Sequence, residues 1–134
     1  MSTFDLKVIT LDGVMFDGEA ESVIARTSVG DVCILARHSN YVGTIEIGKV
    51  KIKTVDGTKE AACAGGFLSF TDNKARLVAT TFEFAEDIDR LRAEKAKEKA
   101  EEILSERKSD KEQKMAEIKL KKALLRLNIS SNNN

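Results

Sequence analysis

Hydrophobic and polar residues alternate along residues 1–84 with the two-residue period of β-strands. In the first run, Phe4, Leu6 and Val8 share one side of a predicted strand. Further runs of this kind occupy residues 14–16, 21–28, 32–35, 41–47, 49–54, 67–71 and 75–81. We therefore predict roughly eight to ten short strands that form a small antiparallel β-sandwich or flattened barrel.

Glycine, asparagine and aspartate mark the predicted turns between these strands. Asp56-Gly57 and Asp72-Asn73 each separate two alternating runs, and these residue types tolerate the positive φ of a two-residue hairpin. Gly65-Gly66 is not followed by the Lys-Ser/Thr pair of a P-loop. We interpret it as a turn or a close approach of two backbones.

A different pattern begins at Ala85, because all eight glycines and every aromatic residue precede it and the chain contains no proline. Apolar residues then recur at helical spacing in two groups. The groups are Ile88, Leu91, Ala96, Ala100, Ile103 and Leu104, then Ala116, Leu120, Ala123, Leu124 and Leu127. We predict an α+β chain with a β domain over residues 1–84 and a helical hairpin over residues 85–134.

The connection between the two predicted helices is assigned to residues 105–108. Ser109 and Glu112 have the spacing of a capping box, which marks the start of the second helix. The small residues Ala93, Ala96 and Ala100 would allow close approach in an antiparallel hairpin. No glycine or proline enforces the turn, so a single continuous rod is the alternative.

Composition and charge narrow the function classes. The 134 residues carry a formal charge of +0, which gives no general attraction to nucleic acid or anionic lipid. No run approaches the roughly 18 apolar residues that span a bilayer, and no secretory signal is visible. We expect Cys33 and Cys63 to be reduced, buried thiols of a cytosolic protein. The polar tip at residues 130–134 is predicted to be disordered.

Several motifs occur together in a characteristic order. They are Thr10-Leu11-Asp12-Gly13, Phe16-Asp17-Gly18-Glu19, the segment 30–38, Gly65-Gly66-Phe67 and the segment 88–93. With these motifs the chain resembles the epsilon subunit of rotary F-type ATP synthases over essentially its full length. It departs from that family at Cys33 and Ala36, where the family usually has glycine and proline.

The resemblance implies a non-catalytic rotor subunit, with no catalytic residue and no metal site. Its sandwich would bind the gamma subunit and the ring of c subunits, as a peripheral component at the cytoplasmic face of the membrane. Asp31 and His38 fall where the family contacts these rotor neighbours, although Asp31 also fits a solvated loop acid. The helices would extend toward the catalytic alpha and beta subunits and restrain ATP hydrolysis.

The resemblance also implies a regulatory ATP site, with no cofactor required. The family motif Ile-Asp-x-x-Arg-Ala is matched by Ile88, Asp89, Arg92 and Ala93, and Glu83 matches a base-side position. Where the family has further arginines, this chain has Lys99, Lys122 and Arg126. Asp89 would accept a hydrogen bond from adenine or ribose, and Arg92 would bind phosphate. The alternative is an ordinary exposed ion pair between Asp89 and Arg92.

The cations of the second helix allow two interpretations. They are Lys114, Lys119, Lys121, Lys122 and Arg126. Within the family they would meet acidic catalytic subunits and inhibit hydrolysis. They also fit the solvated face of any charged helix.

Three function classes are compared. The first is a rotor and regulatory subunit, the second a stand-alone nucleotide-sensing module, and the third an enzyme with its active site in the sandwich. His38 is the only histidine and has no evident catalytic partner, which disfavours the enzyme. Co-purification with a membrane ATPase would separate the first two classes, and we favour the first.

Overall fold

The computed structural model describes residues 2–132, and the chain divides into two compact units after Phe84. The strands are β1 (Phe4–Thr10), β2 (Gly13–Ala20), β3 (Ser22–Thr27), β4 (Gly30–Leu35), β5 (Tyr41–Thr44), β6 (Gly48–Thr54), β7 (Gly57–Thr71) and β8 (Lys74–Phe84). The second unit contains a 3-10 turn (Ala85–Asp87), α1 (Arg90–Ser105) and α2 (Asp110–Asn132).

The first unit is a β-sandwich, as predicted. Its strands follow the order β2-β1-β8-β7-β6-β3-β4, and β5 pairs with β7. Among the described residues β2 and β4 do not pair with each other, so the sheet does not close into a barrel. One pair differs from the antiparallel prediction, because β1 lies parallel to β8.

The long strand β7 changes its pairing partner at its two glycines. Its first part pairs with β6 and its last part with β5, while β8 follows it on the other side. Gly65 and Gly66 have φ of 71° and 109°, which favours glycine. A Cβ at Gly66 would overlap the carbonyl oxygen of Val78. The interpretation of this pair as a close backbone approach is therefore confirmed.

Alternate side chains of the strands fill the interior of the sandwich. The largest fully buried ones are Phe4, Leu6, Val8, Val23, Ile34, Ile45, Val50, Ile52, Leu68, Phe70 and Leu77. Phe4 and Phe70 pack edge to face with ring centroids 5.6 Å apart. Each such side chain contributes about 1.5–3 kcal/mol of transfer free energy when fully buried.

The two cysteines have different environments. Cys63 is buried on β7, and this burial raises the pKa of its thiol to about 12. Cys33 is exposed, so the prediction of a buried thiol is wrong there. The reason is strand alternation, since Asp31, Cys33 and Leu35 share the solvent face of β4.

The same type of four-residue turn closes three different hairpins, at residues 10–13, 27–30 and 54–57. In each turn the threonine hydroxyl accepts a hydrogen bond of 3.1–3.2 Å from the backbone N–H two residues later. The closing glycines have φ of 116–131°. The central residues of the third turn are Val55 and Asp56, so the prediction of Asp56-Gly57 is wrong by one residue.

The hairpin between β7 and β8 follows the prediction. Asp72 and Asn73 have φ of 52° and 59° and lie between the paired residues Thr71 and Lys74. The Asn73 amide also accepts a 2.8 Å hydrogen bond from the backbone N–H of Arg37. That bond connects the loop after β4 to the turn between β7 and β8.

The second unit is an antiparallel helical hairpin, not a rod. The Arg90 guanidinium donates to the carbonyl of Leu127 over 3.4 Å, and the side-chain amide of Gln113 lies 3.3 Å from the carbonyl of Leu104. The start of α1 therefore lies beside the end of α2, and the end of α1 beside the start of α2. The connection is residues 106–109, one residue later than predicted.

Small residues and caps define this hairpin. Ala93 and Ala100 are buried, as are Ala116 and Ala123, whereas Ala96 is exposed and was wrongly assigned to the packed face. The Ser109 hydroxyl accepts from the N–H of Glu112 over 3.3 Å, which confirms Ser109 as the predicted N-cap.

The end of α2 differs from the prediction of a disordered tip. The helix continues to Asn132, and the Ser130 hydroxyl donates to the carbonyl of Leu127 over 3.1 Å. The prediction is therefore wrong for Ser130. Asn133 and Asn134 lie outside the described residues.

Candidate regulatory site on the helical hairpin

Asp89 caps the first helix. It has extended backbone angles, and its carboxylate accepts a 3.1 Å hydrogen bond from the backbone N–H of Arg92. This bond satisfies one of the free N–H groups at the helix start, and the negative charge complements the helix dipole. The contact between these two residues is therefore a backbone cap, which neither sequence interpretation had foreseen.

The other residues of the predicted motif surround this cap. Arg92 lies in the first turn of α1 with an exposed side chain, and Ala93 is buried one residue later. Ile88 precedes the cap and is half-buried. The carboxylate of Asp89 uses one oxygen in the cap, so its other oxygen remains available to a ligand.

The hairpin brings one distant cation to the level of this motif. Because Arg90 contacts Leu127, Arg92 and Arg126 lie at the same end of the hairpin. Lys122 lies one helical turn before Arg126, and both side chains are half-buried. Lys99 is exposed and lies about 10 Å further along α1 than Arg92, at roughly 1.5 Å per residue.

Glu83 belongs to the other unit. It lies on β8 in register with Ala62 and is half-buried. The predicted ligand set therefore draws one residue from the sandwich and the rest from the hairpin.

The cations assigned to an inhibitory role share α2. Lys114, Lys119 and Lys121 are exposed, which leaves them accessible to a partner. Lys122 and Arg126 are half-buried and also belong to the predicted ATP site.

Asp31 and His38 occupy opposite ends of β4. Asp31 forms a cross-strand ion pair with Arg26, with 2.7 Å between carboxylate and Nε. His38 follows the other end of the strand, where its ring packs edge to face against Phe70 at 5.9 Å and Tyr41 at 6.1 Å. At about 3.3 Å per residue, β4 separates these positions by more than 10 Å.

The surroundings of Asp31 were not predicted from the sequence. Ile24, Arg26, Asp31, Lys49 and Lys51 line a shallow depression of about 230 Å³. Lys49 is paired with Glu60 at 3.0 Å. The alternation of β6 shows that its lysines share one face, but strand order was needed to place Arg26 beside them.

Neither a metal cluster nor a membrane-crossing helix occurs in the described part of the chain. Across residues 2–132, no group of three His, Cys, Asp or Glu residues is arranged to hold a metal ion. The same residues contain no helix that is both long and apolar enough to cross a bilayer.

Comparison with known proteins gives the same division of the chain. Residues 3–85 match the family model of the ATP synthase delta/epsilon chain β-sandwich domain, and residues 86–131 match that of its long α-helix domain. In overall fold the chain is similar to a chain in the mitochondrial ATP synthase of Euglena gracilis, an assembly of OSCP, F1 and c-ring. That match has a TM-score of 0.81 and 19% identity, and covers 100% of this chain and 83% of the other.

A second structural match is to the central stalk and c-ring of the Tetrahymena thermophila enzyme. It has a TM-score of 0.60 and 14% identity, and covers 94% and 95% of the two chains. At these identities the two matches support the fold.

Curated bacterial relatives establish the family. The ATP synthase epsilon chain of Bacillus velezensis is 36% identical over 98% of this chain and 100% of its own length. That of Alkaliphilus metalliredigens is 40% identical over 98% of each chain. The chain therefore belongs to the epsilon-chain family of ATP synthases, and it is a non-catalytic accessory subunit of the rotary complex.

Proposed function

We propose that the chain is a central-stalk subunit whose sandwich binds the gamma subunit and the c-ring at the cytoplasmic face of the membrane. The observation that carries this proposal is the full-length match to both epsilon-chain domains. The chains that share this fold in Euglena and Tetrahymena belong to assemblies that include a c-ring, which is consistent with the proposal.

The rotor assignment is tested by affinity purification of the full chain from detergent-solubilised native membranes. Gamma and c subunits are expected in the eluate, and the double variant Asp31→Arg, His38→Ala should reduce their recovery. Asp12→Arg, on an exposed turn of the same unit, is the control. A chain that purifies without gamma or c subunits would favour the stand-alone sensing module.

We further propose that the helical hairpin restrains ATP hydrolysis by moving toward the catalytic alpha and beta subunits. The exposed lysines of α2 support this proposal, since a charged and accessible helix face suits docking to acidic surfaces. Glutamine at Lys114, Lys119, Lys121, Lys122 and Arg126 should raise the hydrolysis rate of the reconstituted complex. Glutamine at Lys95, Lys97 and Lys111 is the control, which removes three other cations of the arm, and equal rates for both sets would refute the inhibitory role.

ATP is the proposed regulatory ligand of the hairpin. In the closed hairpin Arg92 and Arg126 lie at one end, where a triphosphate would neutralise them together with Lys122. The closed form would then bind ATP better than the open form, so ATP would favour closure. Lysine at positions 99 and 122 keeps the charge but loses the planar fork of arginine.

Calorimetric titration tests the ATP site. Binding to the wild-type chain should weaken at least about tenfold in the double variant Arg92→Ala, Arg126→Ala, because each charged hydrogen bond contributes roughly 1.5–3 kcal/mol. The double variant Lys95→Ala, Lys97→Ala removes two other cations of the arm and should bind as the wild type does. Equal affinity in both double variants would refute the site.

A further inference from the structure

A cation from the other helix of the hairpin lies at the C-terminal turn of α2. Its own last turn contains no basic residue, although a helix C-terminus favours positive charge. Arg90, the first residue of α1, fills this role. Its Nη1 donates to the Leu127 carbonyl over 3.4 Å and to the Ser130 hydroxyl over 3.2 Å, and Ser130 itself donates to that carbonyl.

The same arginine is poorly placed for its own helix. A cation in the first turn opposes the dipole of α1, and Arg92 adds a second one in that turn. Glu94 offsets part of this cost, with its carboxylate 3.6 Å from Arg90 Nε. The electrostatic interactions of Arg90 are therefore more favourable when the end of α2 lies beside it than when α2 moves away.

We propose that Arg90 is an electrostatic latch that closes the open end of the helical hairpin. It interacts favourably with α2 only in the closed state, so it shifts the equilibrium toward that state. Arg90 is not one of the matched residues of the ATP motif, and it acts as a positioning residue that keeps Arg126 at the same end of the hairpin as Arg92. The regulatory meaning of the latch rests on the proposed function, whereas the latch itself can be measured without the ATP synthase or any nucleotide.

The test measures the distance between spin labels on the two helices of the full chain. Labels at Glu98→Cys and Lys119→Cys occupy exposed positions at similar heights of the hairpin, and Cys33→Ser removes the exposed native thiol. A closed hairpin gives a short distance. A continuous helix would separate the labelled backbones by roughly 30 Å, at 1.5 Å per residue.

Three variants separate the latch from general effects on the helices. Arg90→Ala should raise the ratio of open to closed hairpin roughly two- to fivefold, the range expected for a cation at a helix C-terminus. Arg90→Glu should open the hairpin further although it favours the α1 dipole, so helix content measured by circular dichroism should not fall. Lys95→Ala, which removes another exposed cation of α1, should leave the ratio unchanged.

Two results would overturn the proposal. The first is a label distance in Arg90→Glu that equals the wild-type distance. The second is equal opening in Arg90→Ala and Lys95→Ala, which would assign the effect to net charge. Unchanged distances with intact ATP regulation in the complex would remove the latch but leave the proposed function standing.

Discussion

The sandwich and the hairpin are stabilised in different ways. The sandwich buries large side chains that are distant in sequence, such as Phe4 against Phe70. In the hairpin, the fully described buried residues of α1 and α2 are four alanines and Ile129. An alanine removes far less apolar area from water than phenylalanine or leucine, so the hairpin gains less from each contact.

The contacts at the ends of the hairpin also contribute less stability each than the large buried side chains of the sandwich. They are the exposed caps at Asp89 and Ser109 and the exposed charged hydrogen bonds of Arg90. Such contacts contribute about 0.5–2 kcal/mol each, so small changes in ligand or partner can alter their balance. The comparison indicates a rigid platform joined to an arm that needs little free energy to rearrange.

The comparison predicts that the largest single-residue effect lies in the sandwich, at Gly66. Gly66→Ala combines an unfavourable positive φ with overlap of the Val78 carbonyl, and should lower the free energy of unfolding by roughly 3–5 kcal/mol. Urea denaturation of the full chain measures this loss. Gly18→Ala is the control, because its added Cβ meets Phe16 at an ordinary 3.7 Å. Similar losses in both variants would show that the close backbone approach at Gly66 has no special role.

A second effect in the sandwich depends on pH. Burial raises the pKa of the Cys63 thiol from 9.0 to about 12. The unfolded chain therefore loses this proton first as pH rises, so stability falls between pH 9 and 12. At pH 10 the loss should be about 1.4 kcal/mol. Denaturation of the wild type and of Cys63→Ala from pH 8 to 10 measures it, and parallel pH profiles for the two proteins would contradict the prediction.

The features that could be predicted from the sequence are those that short-range residue patterns determine. Alternation located the strands, helical spacing located both helices, and Asp72-Asn73 gave the correct turn because its residue types fix the positive φ. The sequence could not predict the parallel pairing of β1 with β8, since no turn connects those strands and their partners are chosen by packing. The turn at residues 54–57 was misplaced because a Thr-x-x-Gly turn and a two-residue Asp-Gly turn share their glycine.

At the candidate site, too, the sequence did not show which distant residues come together. The motif around Asp89 could be found in the sequence, but its cap and the proximity of Arg126 depend on helix geometry and on the hairpin. Arg90 was missed because one partner is a backbone carbonyl, that of Leu127, and the other is the hydroxyl of Ser130, in a tip interpreted as disordered. The separation of Asp31 from His38 required the length of β4.

Within the hairpin, the prediction for Asp89 separates structure from ligand binding. Asp89→Ala removes the cap and should lower the stability of the arm by about 0.5–2 kcal/mol. Asp89→Asn keeps an acceptor for the Arg92 N–H, so it should retain helix content by circular dichroism while weakening any ATP affinity. Equal helix loss in both variants would show that the charge, and not the hydrogen bond, stabilises the start of α1.

The smallest predicted effect concerns Arg107, which has φ of 49° in the connection between α1 and α2. This left-handed conformation costs a non-glycine residue about 1–2 kcal/mol, whereas glycine adopts it freely at a chain-entropy cost of about 0.4–1 kcal/mol. Arg107→Gly should therefore stabilise the closed hairpin by about 0.5–1 kcal/mol. Spin labels on the two helices would report a smaller open fraction.

Lys108→Gly provides the control for that change. Lys108 has no positive φ, so glycine there relieves no backbone strain. It adds chain entropy and also removes the exposed ion pair between the Lys108 ammonium and the Glu106 carboxylate, which lie 3.1 Å apart. The two neighbouring glycine substitutions should thus shift the hairpin in opposite directions. A more open hairpin in both would mean that the strain at Arg107 does not limit closure, and that the caps at the two ends alone set the balance of the arm.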